Sequence, residues 1–402
     1  MKHPAVTAAL VGALALPALA ACTDSTTARG GGDPRTITVA AGDTSCDLSA
    51  DRAPSGNLVY KVTNRGAKVT EFYLYGEDGR RIVGEVENVG PGLSRDLVLN
   101  VPAGTYIPAC KPGMVGQGIR STFTVTESES ESESESGSGS GSGQTPATSG
   151  ATQQQIDRAT ARYHRYVQKQ SEDLLAGTRR FVAAYTAGDD NEARSLYAPT
   201  RVHWERIEPV AESFGDLDPR MDLRQADLEQ GQSWTGWHRI EKDLWPPRSG
   251  YTALTSKQRA AYGDRLLADT RTLVTRVKRL GFTIDQMGNG AKSLLDEVAK
   301  SKVTGEEEAW SHTDLYDFAA NVDGARAGFE DLEPILARKD ATLKDQIEQR
   351  FTDLQKVLDR HRSGPHGFVS YTTLSQAQVR QLSDAVNALS EPLSKLTAAV
   401  TL

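Results

Sequence analysis

What the chain lacks narrows its reading before any motif is considered. Cysteine is scarce: 402 residues hold three, Cys22, Cys46 and Cys110. Long apolar runs stop after residue 21, so no later segment is apolar enough to span a bilayer. A surplus of positive charge is also missing. The formal net charge is −7, but the glutamates at 127, 129, 131, 133 and 135 sit in one low-complexity run, and the remainder is near balance. No basic stripe points to nucleic acid, which is set aside as a partner. The metalloprotease signature His-Glu-x-x-His is absent too, which counts against hydrolysis.

The N-terminus speaks to compartment. Met1, Lys2 and His3 form a short basic stretch, Val6 to Leu19 is almost wholly apolar, and Leu19-Ala20-Ala21-Cys22 follows. That run falls well short of the roughly 20 residues of a spanning helix, so residues 1–21 read as a signal peptide. The small residues ending in cysteine resemble the lipobox of bacterial lipoproteins, which implies cleavage before Cys22 and a lipid on it. Export places Cys46 and Cys110 in an oxidising compartment, where two thiols in one small domain usually pair. A thiolate metal site stays open beside the disulfide.

Composition then divides the chain. Residues 22–35 are small, polar and Gly-rich, as suits a lipid anchor and tether. Over 36–126, TITVAAG, NLVYKVTN, EFYLYGEDG, DLVLNVPAGTY and STFTVTE alternate in period two between Gly, Asn, Asp and Pro breaks. About seven such strands predict a small all-β sandwich. Residues 127–150, Glu-Ser repeats and then Gly-Ser repeats, cannot bury apolar surface. They predict a disordered linker of roughly 25–30 Å mean span, across which the two domains move independently. Residues 151–402 carry helical spacing, with helices expected over 153–187, 199–214, 237–245, 256–280, 283–302, 313–337, 341–362 and 375–402. The expected fold is an all-α antiparallel helical bundle, or two bundles end to end.

Three pieces of the helical domain carry candidate chemistry. RVHWERIEPVAESFGDLDP places Glu205, Glu208 and Glu212 three and four apart, on one helix face. Acids so spaced ordinarily form a solvated face. SWTGWHRIEKDLWPP contains His238 and Glu241 at i and i+3, a pair able to grip one ion from a single turn. Trp234, Trp237 and Trp245 crowd it, so the pair is expected to be sheltered and satisfied by itself or by a cation. In DRLLADTRTL, Asp269 lies a turn from Leu266 and Leu273. A salt-bridge partner and a metal ligand are both open for it.

These segments, followed in order by EEEAWSHTDLYDFAANVDGA, resemble the EfeO component of EfeUOB-type iron uptake systems. That family joins a cupredoxin-like N-terminal domain to a helical domain similar to imelysin-like proteins, and the resemblance covers nearly the whole mature chain. It implies an extracytoplasmic lipoprotein, on the outer face of the cytoplasmic membrane, that captures iron and delivers it to a partner permease beside a haem-peroxidase-like component. It also implies a His-x-x-Glu metal site at His238 and Glu241, with Glu208 and Asp269 as further ligands and Glu205 as the alternative to Glu208. One imidazole with carboxylates suits iron, ferric or ferrous, with manganese or zinc as competitors. His312, Asp314 and Asp317, with Glu306 to Glu308 just upstream, form either a second acidic site or the pinning of a helix N-terminus. In the β domain the family site carries over to Cys46, Glu71 and Cys110. Residues 23–160 contain no histidine, so a blue-copper centre is disfavoured. A thiolate–carboxylate site for copper or another metal and a Cys46–Cys110 disulfide both stay open. Imelysin relatives are catalogued as metallopeptidases, so a peptidase is the alternative function.

Overall fold

The computed structural model describes residues 33–79, 82–127, 150–228, 231–300, 302–364 and 367–401. The expected signal peptide, the lipidation site Cys22 and nearly all of the tether and Glu/Ser/Gly linker lie outside the described residues.

The first domain is a β-sandwich. Strands β1 (Thr36–Ala41), β2 (Cys46–Leu48), β4 (Gly56–Asn64) and β7 (Ser94–Val101) form one sheet in the order β2-β1-β4-β7, with β1 and β4 parallel. Its partner sheet runs β3 (Arg52–Pro54), β10 (Phe123–Thr126), β8 (Gly104–Pro112), β5 (Thr70–Gly76) and β6 (Ile82–Val89), with β9 (Ile119–Arg120) on β8. Burial alternates along β1 and β10, as a sheet with one wet face requires. Ile37, Val39, Leu58, Tyr60 and Val62 from one sheet meet Phe72, Leu74, Val86, Phe123 and Val125 from the other. Strands β2, β3 and β9, two or three residues each, are too short for an alternating pattern to register, so about seven strands were expected and ten form.

Cys46 on β2 and Cys110 on β8 are joined in a disulfide between the two sheets. Of the two readings left open, the structure forms the bond, so neither sulfur is a free thiolate ligand. Glu71, the third member of the expected site, accepts a hydrogen bond from the Tyr73 hydroxyl at 3.3 Å.

The second domain is helical: α1 (Gly150–Ala187), α2 (Asp190–Glu205), a 3₁₀ turn (Glu208–Phe214), α3 (Leu217–Met221), α4 (Trp237–Leu244), α5 (Ser256–Val277), α6 (Ile284–Lys300), α7 (Asp314–Lys339), α8 (Ala341–Asp359), α9 (Gln376–Leu393) and α10 (Leu396–Thr401). Helix α1 packs on α2, α5 and α7, while α6 packs on α7 and α9. One continuous apolar core runs through both groups.

The helix expected over 199–214 is different. Pro199 sits inside α2, and the α-helix ends at Glu205. Pro209 is the cause: it has no N–H to give the Glu205 carbonyl, and its ring crowds that carbonyl. The freed oxygen accepts the Asn321 side-chain amide at 3.0 Å instead. The shared face of Glu205, Glu208 and Glu212 is thereby broken.

The sandwich packs on the bundle rather than standing apart from it, against the expectation of independent domains. The Asn100 N–H on edge strand β7 donates to Asp285 Oδ2 at 3.2 Å, and the Asn289 amide donates to the Val98 carbonyl at 2.8 Å. Helix α6 thus satisfies edge groups that would otherwise need water. Arg95 and Glu391 add an ion pair at 3.1 Å.

Candidate metal centre

The site is built from α4 outward. Gly236 starts this helix with φ of 89°, and a Cβ there would lie 2.1 Å from the Met221 carbonyl oxygen. Only glycine allows α4 to press so closely on the end of α3. Trp237 fills the core against Phe181 and Tyr197, which aims the next residue, His238, at the inner acids. His238 and Glu241 are both wholly buried, with His238 Nδ1 3.4 Å from Glu241 Oε2. The other Glu241 oxygen accepts the backbone N–H groups of Trp310 at 2.9 Å and Ser311 at 2.7 Å. Burial works to raise the Glu241 carboxyl, but His238 and these two amides hold it below the usual range.

On its far side, His238 Nε2 stands 3.5 Å from both Asp222 Oδ1 and Glu307 Oε1 and makes no hydrogen bond. Burial and Arg201 act to lower the imidazole, yet Glu241, Glu307 and Asp222 outweigh them and raise it to about 9. Among the described residues, two sets of ligand atoms lie within 4.8 Å of one another: Asp222, His238 and Glu307, and His238, Glu241 and Glu308. One imidazole shared by four carboxylates is a donor set for a hard or borderline cation. His238 Nε2, which makes no hydrogen bond and faces two carboxylate oxygens, fits such an ion, whose binding would displace the proton that those acids favour.

Two cations of the protein already sit among these acids. Arg201, wholly buried, ion-pairs with Glu205 and Asp222 and reaches Glu308 at 2.7 Å, Asp317 at 3.3 Å and Glu307 at 3.4 Å. Lys302, equally buried, contacts Glu208 at 2.6 Å and Glu205 at 3.0 Å. Seven carboxyls, Glu205, Glu208, Asp222, Glu241, Glu307, Glu308 and Asp317, therefore crowd three buried positive charges, Arg201, Lys302 and the His238 imidazolium. Negative charge remains in excess. Burial and this crowding push Glu208, Glu308 and Asp317 well above the usual carboxylate range.

The expected ligands divide. Glu241 is brought to His238. Glu208 and its alternative Glu205 are held by Lys302 and by the Asn321 amide, one shell out from the imidazole. Asp269 is not brought there: its carboxylate is paired with Arg220 and Arg265, the salt-bridge role left open for it. The segment of His312, Asp314 and Asp317 is not a separate centre among the described residues. Asp314 accepts the Glu308 N–H at 3.1 Å, fixing the turn that carries Glu307 and Glu308, while Asp317 turns to Arg201. Asp222 escaped the sequence reading, and Glu307 and Glu308 entered it only beside the His312 segment, not as partners of His238. The Glu306–Glu308 run was the only hint of that pair, and nothing marked Asp222.

Comparison with known proteins bears on the helical domain as a whole. A family model described as imelysin, under a peptidase M75 heading, matches residues 159–396. An Efem/EfeO family lipoprotein of Staphylococcus haemolyticus (strain JCSC1435) is 41% identical over 256 residues, 63% of this chain and 87% of the relative. One of Staphylococcus aureus (strain NCTC 8325 / PS 47) is 41% identical over 245 residues, 60% of this chain and 84% of the relative. With a bundle of imelysin type carrying the His238–Glu241 turn, and relatives matched over most of their length, the chain belongs to the imelysin family and, within it, to the Efem/EfeO family lipoproteins.

Proposed function

We propose that this protein captures iron outside the cytoplasmic membrane and hands it to a partner permease of an EfeUOB-type uptake system, in company with a haem-peroxidase-like component. The cation would be held at His238, Glu241, Asp222, Glu307 and Glu308. The observation that carries this is the buried His238 Nε2, without a hydrogen-bond partner and 3.5 Å from two carboxylate oxygens. Carboxylates favour a hard ion such as ferric iron, and one imidazole keeps ferrous iron, manganese and zinc in competition. The lipoprotein names of the relatives support a lipid anchor at Cys22 and a place in the cell envelope. No helix among the described residues is long and apolar enough to cross a membrane.

Elemental analysis of protein purified from its native envelope should find iron. The His238→Ala and Glu241→Ala variants should lose it, and retention of full iron by both would sink the reading. The family heading keeps a metallopeptidase as the alternative. Cleavage of casein by the wild type, abolished in the same variants, would favour it.

A further inference from the structure

A cavity of about 980 Å³ lies between the sandwich and the bundle. Its sandwich wall is β6, carrying Glu85 and Glu87, and its opposite wall presents Glu212, Asp218 and Glu297. At its inner end it reaches Asp222 and Glu307, the two carboxylates that His238 Nε2 faces. Ten of its lining side chains are acids, and one, Arg224, is basic. Arg224 stands at the inner end, 3.3 Å from Glu307 Oε2 and 2.7 Å from Asp227 Oδ2.

Among the described residues, the side chains around the imidazole are withdrawn from solvent on its other sides. His238, Glu241, Glu308 and Arg201 have no exposed surface. The Trp310 and Ser311 amides cap Glu241, and the Trp310 ring packs on Trp234 with centroids 5.7 Å apart. An ion arriving from solvent therefore meets Asp222 and Glu307 first. His238 Nε2 lies directly behind them, 3.5 Å from each.

We propose that this cavity is the passage through which the cation enters and leaves the centre, and that the sandwich, as one of its walls, governs the rate of exchange. This rests on the reading of the centre as a cation site. The passage attracts a hydrated divalent or trivalent cation: a low-dielectric cleft lined by one sign of charge concentrates the opposite sign and accelerates its capture. Burial, and the mutual repulsion of Glu85, Glu87 and Glu212 across the gap, hold Glu85 well above the usual carboxylate range and Glu212 up at about 7. A passing cation relieves that repulsion. Helix α6 fixes the width of the gap through Asp285 and Asn289, which hold β7 by its backbone.

The test is stopped-flow binding of Fe²⁺ under anaerobic conditions to the full chain. Tryptophan fluorescence is the readout, since Trp204 Nε1 donates to Asp222 at 2.7 Å. A plug, Ser293→Trp, placed on the cavity wall should slow association and dissociation together, by about fivefold or more, and leave the equilibrium affinity nearly unchanged. At pH 8, above the Glu212 value, the pair Glu87→Gln with Glu212→Gln should lower the association rate by about tenfold at low ionic strength and flatten its salt dependence. The second variant keeps the test intact if the plug fails to fold. Exchange at wild-type rates in the folded variants, with His238→Ala abolishing binding, overturns the passage alone. Undiminished binding by His238→Ala overturns the centre itself.

Discussion

Arg201 shows how a single buried side chain decides whether an acidic cluster folds. It touches five carboxylates and is wholly withdrawn from water. Removing one partner of such an arrangement strands the others as uncompensated charge, a loss of about 3–5 kcal/mol. Arg201→Gln should accordingly lower the cation-free unfolding free energy by that order, and saturating iron should restore part of it. Equal losses with and without metal, read by denaturant titration, would mean that the arginine is mere scaffold. At Cys46 and Cys110, a free-thiol count on the unreduced, denatured chain should find no thiol from either. Closing a loop of 64 residues stabilises by about 4 kcal/mol in the chain-entropy picture, so replacing both cysteines by serine should lower the unfolding midpoint accordingly. The His238–Glu241 pair was legible because i, i+3 spacing is local. Asp222 was not, and Glu307 and Glu308 were not tied to it, because they reach the imidazole from two other segments of the chain.

At the scale of elements, the centre depends on two interruptions of helix. Pro209 stops α2 at Glu205 and turns the following acids apart, leaving Glu208 on Lys302 and Glu212 in the cleft. The spacing that suggested one acidic face was read correctly as spacing, but proline chemistry overrode it. Gly236 lets α4 start against α3, and a methyl group there has nowhere to go. Gly236→Ala should cost on the order of 2 kcal/mol from the positive φ alone, before the clash is counted. It should also weaken iron binding by displacing His238. Wild-type iron affinity in a folded Gly236→Ala protein would contradict this placement of α4. Strand and helix positions were otherwise largely readable, since alternation and helical periodicity are carried by the chain itself.

At the scale of the molecule, the joint between sandwich and bundle sets a pH response. Desolvation inside the cleft first, then neighbouring acids, raise the half-covered Asp218 and the more exposed Glu212 to about 7, from ordinary values of 3.8 and 4.5. The folded state thus holds protons that the unfolded chain has released, and metal-free stability falls as pH rises from about 4 through 7. Chemical denaturation at pH 5 and pH 7.5 should show that fall, and Asp218→Asn with Glu212→Gln should flatten it. A profile unchanged by the two substitutions would remove these carboxyls from the account. The docking that places Glu212 and Asp218 in one cleft with the sandwich acids was invisible in the chain, because a linker of Glu, Ser and Gly sets only how far two domains can part. The sequence by itself determined the all-β and all-α halves, through local periodicity, and the one histidine–glutamate turn, through spacing. Which acids surround that turn, which cations of the protein partly neutralise them, and how the sandwich walls their approach were decided by tertiary structure alone. Burial and charge pairing depend on residues that meet only once the chain is folded.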